Sequence, residues 1–219
     1  MLTELAAWVR RKVSEQYASG PGRLAMNPRG DLSVAQGLPP AAELVRMGDS
    51  WAASIPTGSA FTHVAAWPTT RAELLVKNSE PAGGKSYVLE AVWAANVATS
   101  IAAASAYTIV GQLVAQHVTD VTDNTAVLRQ SLCGKSAYSG RARFAIANTA
   151  YGVASQWQVL GPSPTSAAAS IGVAAYVDLR GLWIVPPDSI FLLNLVVGTA
   201  TGTASIGLLW HEVELPLPL

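Results

Sequence analysis

Beyond residue 57 the chain alternates short runs of apolar residues with clusters of Pro, Gly, Asn and Asp, and within many runs every second residue is apolar. A period of two is that of a β-strand, whose successive side chains point to opposite faces, and repeated short strands closed by turn residues are the pattern of a sandwich. The pattern predicts strands at 59–66, 71–78, 85–97, 107–115, 126–132, 143–149, 155–160, 168–179, 182–185, 190–197 and 204–215. Pro68, the run 79–84, the segment 120–124, the loop 134–140, the run 161–164, Pro186-Pro187-Asp188 and the run 199–203 separate them. The expected fold is an all-β antiparallel sandwich, jelly-roll-like, over residues 58–219.

Alternation also assigns faces. In 71–78, Ala72, Leu74 and Val76 oppose Arg71, Glu73 and Lys77, which predicts one wet face. In 85–97, Tyr87, Leu89, Ala91 and Trp93 oppose Ser86, Val88, Glu90 and Val92. In 190–197 both faces are apolar: Ile190, Leu192 and Val196 accompany Asn194 on one, with Phe191, Leu193, Leu195 and Val197 on the other. A sandwich covers only the inner face of each sheet, so such a strand needs a further cover. A second copy of the chain is the simplest cover, and the chain's own N-terminal arm is the competing one. The run 168–179 poses the same question, so the expected self-assembly interface comprises Ile171, Val173, Tyr176, Phe191, Leu193, Leu195 and Val197.

The first 57 residues follow another pattern. Leu2, Leu5, Val9, Val13 and Tyr17 recur at three- and four-residue steps with Glu4, Arg10, Arg11 and Glu15 between, which predicts an amphipathic helix ended by the Ser-Gly-Pro-Gly run at 19–22. So short a helix needs a partner surface. Residues 23–57 are rich in Pro and Gly and read as an extended arm, with a short strand at 32–35 and a helical turn opened by Pro39-Pro40 and closed at Gly48. Arg29-Gly30-Asp31 beside Pro28 reads as a turn. The arm is expected to dock through Leu5, Trp8, Val9, Val13, Leu32 and Val34.

Charge narrows the picture by subtraction. Fourteen Lys and Arg balance fourteen Asp and Glu, so nothing in the net charge points to nucleic acid, an anionic membrane or an acidic substrate. Charged residues are 13% of the chain, about half the usual ~25%, and none occurs in 91–119, 144–177 or 190–210. The last gap is long enough for a membrane span, but its Asn194, its Thr and Gly content and its lack of flanking Lys or Arg favour strands. No membrane partner is expected. The opening MLTELAAWVRRK carries Glu4 and no long apolar run, so the chain reads as made in the cytosol.

Motifs for chemistry are absent. The single cysteine, Cys133, supplies neither an internal disulfide nor a thiolate cluster. His63, His117 and His211 make no His-x-His or His-x-x-x-His spacing, and alternation sends His211 and Glu212 to opposite faces. Ser131-Leu132-Cys133 matches no nucleophile motif. Gly83-Gly84-Lys85-Ser86 lacks the leading glycine of a phosphate loop and reads as a hairpin turn. Trp67, Trp93, Trp157, Trp183 and Trp210 lie in or beside strands, where core or interface packing is the usual role, although a sugar-stacking platform is an alternative use. No catalytic residue, metal or cofactor is expected.

The arm text NPRGDLSVAQGLPPAAELVRMGDSW and the closing LWIVPPDSIFLLNLVVGTATGTASIGLLWHEVEL resemble virion structural proteins of tailed bacteriophages, particularly head decoration or cement proteins. The Pro-Pro-Asp turn before an apolar strand, the Thr/Gly/Ala-rich hairpin and the final strand with Trp210, Glu212 and Glu214 carry the likeness. The resemblance implies a trimer of jelly rolls seated on the major capsid protein, with terminal arms reaching along the shell, located on the virion and without catalytic residues. A receptor- or carbohydrate-binding head or fibre domain is the alternative reading.

Overall fold

The computed structural model describes residues 40–62, 66–69, 71–98, 105–114, 121–134, 137–148, 157–161, 165–166, 174–198 and 203–214. Its elements are a helix α1 (Pro40–Met47), then β1 (Ser50–Ser54), a 3-10 turn (Thr57–Ser59), β2 (Phe61–Thr62), β3 (Ala72–Asn78), β4 (Ser86–Ala98) and β5 (Ser105–Val114). There follow β6 (Leu128–Ser131), β7 (Ala142–Asn148), β8 (Gln158–Val159), β9 (Thr165–Ser166), β10 (Ala174–Val185), β11 (Ile190–Val197) and β12 (Thr203–Val213). They form two six-stranded sheets, ordered β10-β4-β12-β1-β6 with β2 beside β12, and β7-β3-β11-β5-β8 with β9 beside β5. Each pairing is antiparallel.

Taking β1, β3, β4, β5, β8, β10, β11 and β12 as first to eighth in chain order, the first sheet contains 6-3-8-1 and the second 2-7-4-5. This is the double Greek-key order of the jelly roll. The inserted β6 and β7 widen the sheets by one strand each, beside β1 and β3.

The core lies between the sheets, where Leu74, Val76, Tyr87, Leu89, Phe144, Ile206, Leu208 and Trp210 are buried together. Phe191, Leu193, Leu195 and Val197 belong to this core and are fully buried. Their assignment to a self-assembly interface is therefore corrected: alternation sends this row of β11 inward, against the facing sheet. The opposite row is covered as well. Ile190 and Leu192 are buried in a second cluster with Leu75, Val110, Ala145, Val121 and Trp157 of the same chain. Glu73 and Lys77 also lie on a buried face of β3, so that strand has no wet side; Arg71 Nε stands 2.6 Å from the Glu73 carboxylate.

Two of the three register shifts among the described residues of the first sheet bear on where its side chains face. Trp210 pairs with Leu89 but Leu209 pairs with Ala91, so β4 carries one extra residue, Glu90, as a bulge. Tyr87 and Leu89 face inward before it, and Val92 and Ala94 face inward after it. Trp93 is thereby turned outward, away from the face that unbroken alternation assigns it. In β10 the ladder to β4 passes from Asp178 to Trp183 over four residues, two of which, Arg180 (φ 50°) and Gly181 (φ 69°), adopt the left-handed region. The separate strands expected at 168–179 and 182–185 are thus one bulged strand in the described part; residues 168–173 lie outside the described residues.

The arm boundary moves too. The compact unit begins at Ala41 rather than at residue 58, because β1 lies inside the first sheet between β12 and β6. Trp51, Ala53 and Ile55 alternate into the core. The helix expected at Pro39-Pro40 is α1, closed at Gly48 (φ 84°) by Gly48 N–H to Val45 O at 3.0 Å and Asp49 N–H to Leu44 O at 3.0 Å. The helix expected over the first eighteen residues and the strand at 32–35 lie outside the described residues, as do Leu5, Trp8, Val9, Val13, Leu32, Val34, Ile171 and Val173. The charge-free stretch 190–210 holds β11 and most of β12, and no helix among the described residues is long and apolar enough to cross a membrane.

Candidate functional site

The end of β12 brings a carboxylate to the edge of the core. Its inward row, Ala204, Ile206, Leu208 and Trp210, continues to Glu212, which is 5% exposed. The loop before β7 supplies the partner: Tyr138 donates its hydroxyl to Glu212 Oε1 at 2.6 Å and accepts the Ala142 N–H at 2.8 Å. The Trp210 indole N–H points at the same oxygen from 3.4 Å. Burial raises the Glu212 carboxyl above its ordinary value, opposed by the bonds from Tyr138 and Trp210. Burial likewise pushes the Tyr138 phenol well above its usual range. Aromatic rings complete the closure, with Trp51–Tyr138 centroids 4.8 Å apart, Phe144–Trp210 5.7 Å apart, and Arg129 lying 4.9 Å over the Phe144 ring. The arrangement seals one end of the sandwich and ties the 137–141 loop to the last strand.

On the outer face of the first sheet, Ser50 Oγ lies 2.7 Å from His211 Nδ1, while His211 Nε2 stands 3.9 Å from Glu90. This order of hydroxyl, imidazole and carboxylate is that of a nucleophilic trio. Ser50 is fully buried, however, and the second distance exceeds a hydrogen bond, so the group holds β1 on β12 rather than presenting a nucleophile. Burial lowers the His211 pKa, and Glu90 partly offsets that effect. His63 and His117 lie outside the described residues, and among those described no three His, Cys, Asp or Glu side chains converge as a metal site. A shallow cleft of about 400 Å3 is lined by Thr122, Asp123, Asn124, Thr125, Ala145 and Ile146. Asp123 is engaged by its own chain there, accepting Arg129 at 2.6 Å and the Phe144 N–H at 2.9 Å.

Further along the same outer face, one level of the five-strand path reads Tyr176, Trp93, Gly207, Ser54 and Leu128 from edge to edge. The next reads Asp178, Ala91, Leu209, Ala52 and Gln130. Tyr176, 65% exposed, is the one described residue of the expected assembly interface that remains on the surface. Trp93 beside it is partly exposed and lies across Gly207, where an added Cβ would stand 2.5 Å from Cε2 and Cζ2 of the indole. Sequence pattern alone places Trp93 on the other face, since nothing in it marks the extra residue at Glu90. No family model, curated protein or solved structure matches the chain.

Proposed function

We propose that this chain is a structural protein of a virion surface, of the head decoration or cement type. In this reading it assembles with copies of itself, as a trimer, and attaches to the major capsid shell through its leading segment. One observation carries the proposal: the space between the sheets is filled by the chain's own side chains, with Trp210, Tyr87, Tyr107, Phe144 and Phe191 all buried. Ligand sites are concave cavities, so a jelly roll with a filled interior works through its outside. The low charge of the chain and the apolar stripe of Leu5, Val9 and Val13 support attachment by packing rather than by charge. With Phe191, Leu193, Leu195 and Val197 buried in the core, self-assembly in this reading falls to other surfaces, Tyr176 among them.

Sedimentation velocity of the full chain is expected to give an integral multiple of the 22.8 kDa subunit. A chain starting at Pro40 is expected to stay folded but no longer to pellet with shells of a tailed phage's major capsid protein. A single-subunit mass at every concentration would overturn self-assembly, and full-strength pelleting of the shortened chain would overturn the docking role.

A further inference from the structure

The outer face of the β10-β4-β12-β1-β6 sheet has β12 as its middle strand, and its two halves differ in bulk. In the row through Gly207, Tyr176 and Trp93 stand on one side of β12, and Ser54 and Leu128 on the other. In the row through Leu209, Asp178 and Ala91 stand on the first side, and Ala52 and Gln130 on the second. The Trp93 indole leans over the middle strand, since a Cβ on Gly207 would lie 2.5 Å from its Cε2 and Cζ2. Tyr176 at one edge and Leu128 at the other remain 65% and 59% exposed.

We infer that a second copy of the chain covers this face, the two sheets packing face to face about a two-fold axis that runs along β12. A two-fold contact buries the same patch on both copies, so the patch must complement itself. This one does: rotation about β12 carries each row onto the same row of the second copy with its ends exchanged. Tyr176 then meets Leu128 of the second copy, and the Asp178 carboxylate, an acceptor, meets its Gln130 amide, a donor. Ser54 and Ala52 leave room opposite the aromatic half. An axis across the strands would instead set each aromatic residue against its own copy and leave the small side chains facing one another across a gap. Twisted sheets pack with strand directions within about 30° of each other, as an axis along β12 allows. They stand about 10 Å apart, which accommodates one indole from each copy above the paired Gly207 positions. In the two rows Asp178 is the one charged residue, and Arg180 Nε holds it at 3.1 Å, so little charge loses water. Five strands about 4.8 Å apart, taken along Ser205–His211 at about 3.3 Å per residue, give a footprint of roughly 24 by 20 Å. With Tyr176 and Leu128 rising from it, the accessible surface is on the order of the roughly 800 Å2 per partner that a stable interface buries. The contact rests on the self-association proposed above and supplies a surface for it: with a three-fold contact elsewhere it gives six subunits, and alone it gives two.

Sedimentation equilibrium of the full chain at about 10 μM is expected to give an even number of 22.8 kDa subunits. Tyr176→Asp and Leu128→Lys should each halve that number at the same concentration, because a charge is then buried against an apolar partner. Both residues are largely exposed, so both variants should keep the wild-type circular dichroism. Mixed in equal amounts, the two variants should pair again: each mixed pair joins the new carboxylate to the new ammonium at one end and keeps Tyr176 against Leu128 at the other. Val159→Ala, on the other sheet, should change nothing. One or three subunits for the full chain would overturn the two-fold contact, three leaving self-association in place. Failure of the mixture to pair would overturn it too, as would single variants of unchanged mass. Pairing lost from a chain starting at Pro40 would give the contact to the leading segment and overturn it equally.

Discussion

At the scale of single residues, Tyr138 and Glu212 show how a buried acid is accommodated. The phenol hydroxyl both donates to the carboxylate and accepts a main-chain N–H, so removing it strands two groups at once. Tyr138→Phe is therefore expected to cost about 2 kcal/mol in urea unfolding at pH 7. Glu212→Gln should behave oppositely. Burial raises the folded-state pKa of Glu212, so the wild-type side chain costs stability when it is ionised, above its raised value, and costs nothing below the ordinary value near 4.5. The Gln variant should be the more stable protein at pH 7, with the difference closing as the pH approaches 4; an advantage that persisted in acid would contradict this account.

At the scale of elements, β1 matters out of proportion to its length. It carries Trp51 and Ala53 into the core and bridges β12 to β6. A chain starting at Thr57 would lose Trp51 and Ile55, about 5 kcal/mol or more of packing, against a total domain stability of roughly 5–15 kcal/mol. It is expected to be unfolded by circular dichroism, whereas a chain starting at Pro40 should match the full chain. How far these elements are legible in the sequence depends on what marks them. β3, β4 and β12 announce themselves by apolar alternation bounded by turn residues, and β11, a continuous apolar run between the turns at 186–188 and 199–203, is legible to its ends. β1 hides because its Trp51, Ala53 and Ile55 pattern is brief and sits within Pro- and Gly-rich text. The bulge at Glu90 is silent because alternation reads straight through it, and that one residue decides where Trp93 points. Contacts such as Ser50 with His211, 161 residues apart, depend on the strand order and not on any local pattern.

At the scale of the whole molecule, buried titratable groups of opposite sense set the response to acid. His211 has a lowered folded-state pKa, so its contribution is present above the ordinary value of 6.5 and is lost as the pH falls from there through the lowered folded value. Glu73 and Glu212 have raised values, caused first by burial, and their cost is relieved as the pH falls toward 4.5. The effects oppose one another over mildly acidic pH. Equilibrium unfolding of His211→Gln is expected to show stability rising more on acidification from pH 7 to about 5 than in the wild type, and the Glu212→Gln variant should show it rising less.

The left-handed pair Arg180–Gly181 in β10 has a further consequence for a protein with so few charges. β10 ends its sheet, and β7, which ends the other beside β3, carries its own left-handed residue at Ala147 (φ 53°). A straight, uncharged border would template the addition of strand after strand from other molecules, the route into fibrils. Here the border is buckled, and the buckle carries a guanidinium. Concentrated protein should stay dark to thioflavin, and removing Arg180 and Gly181 together should let it light up.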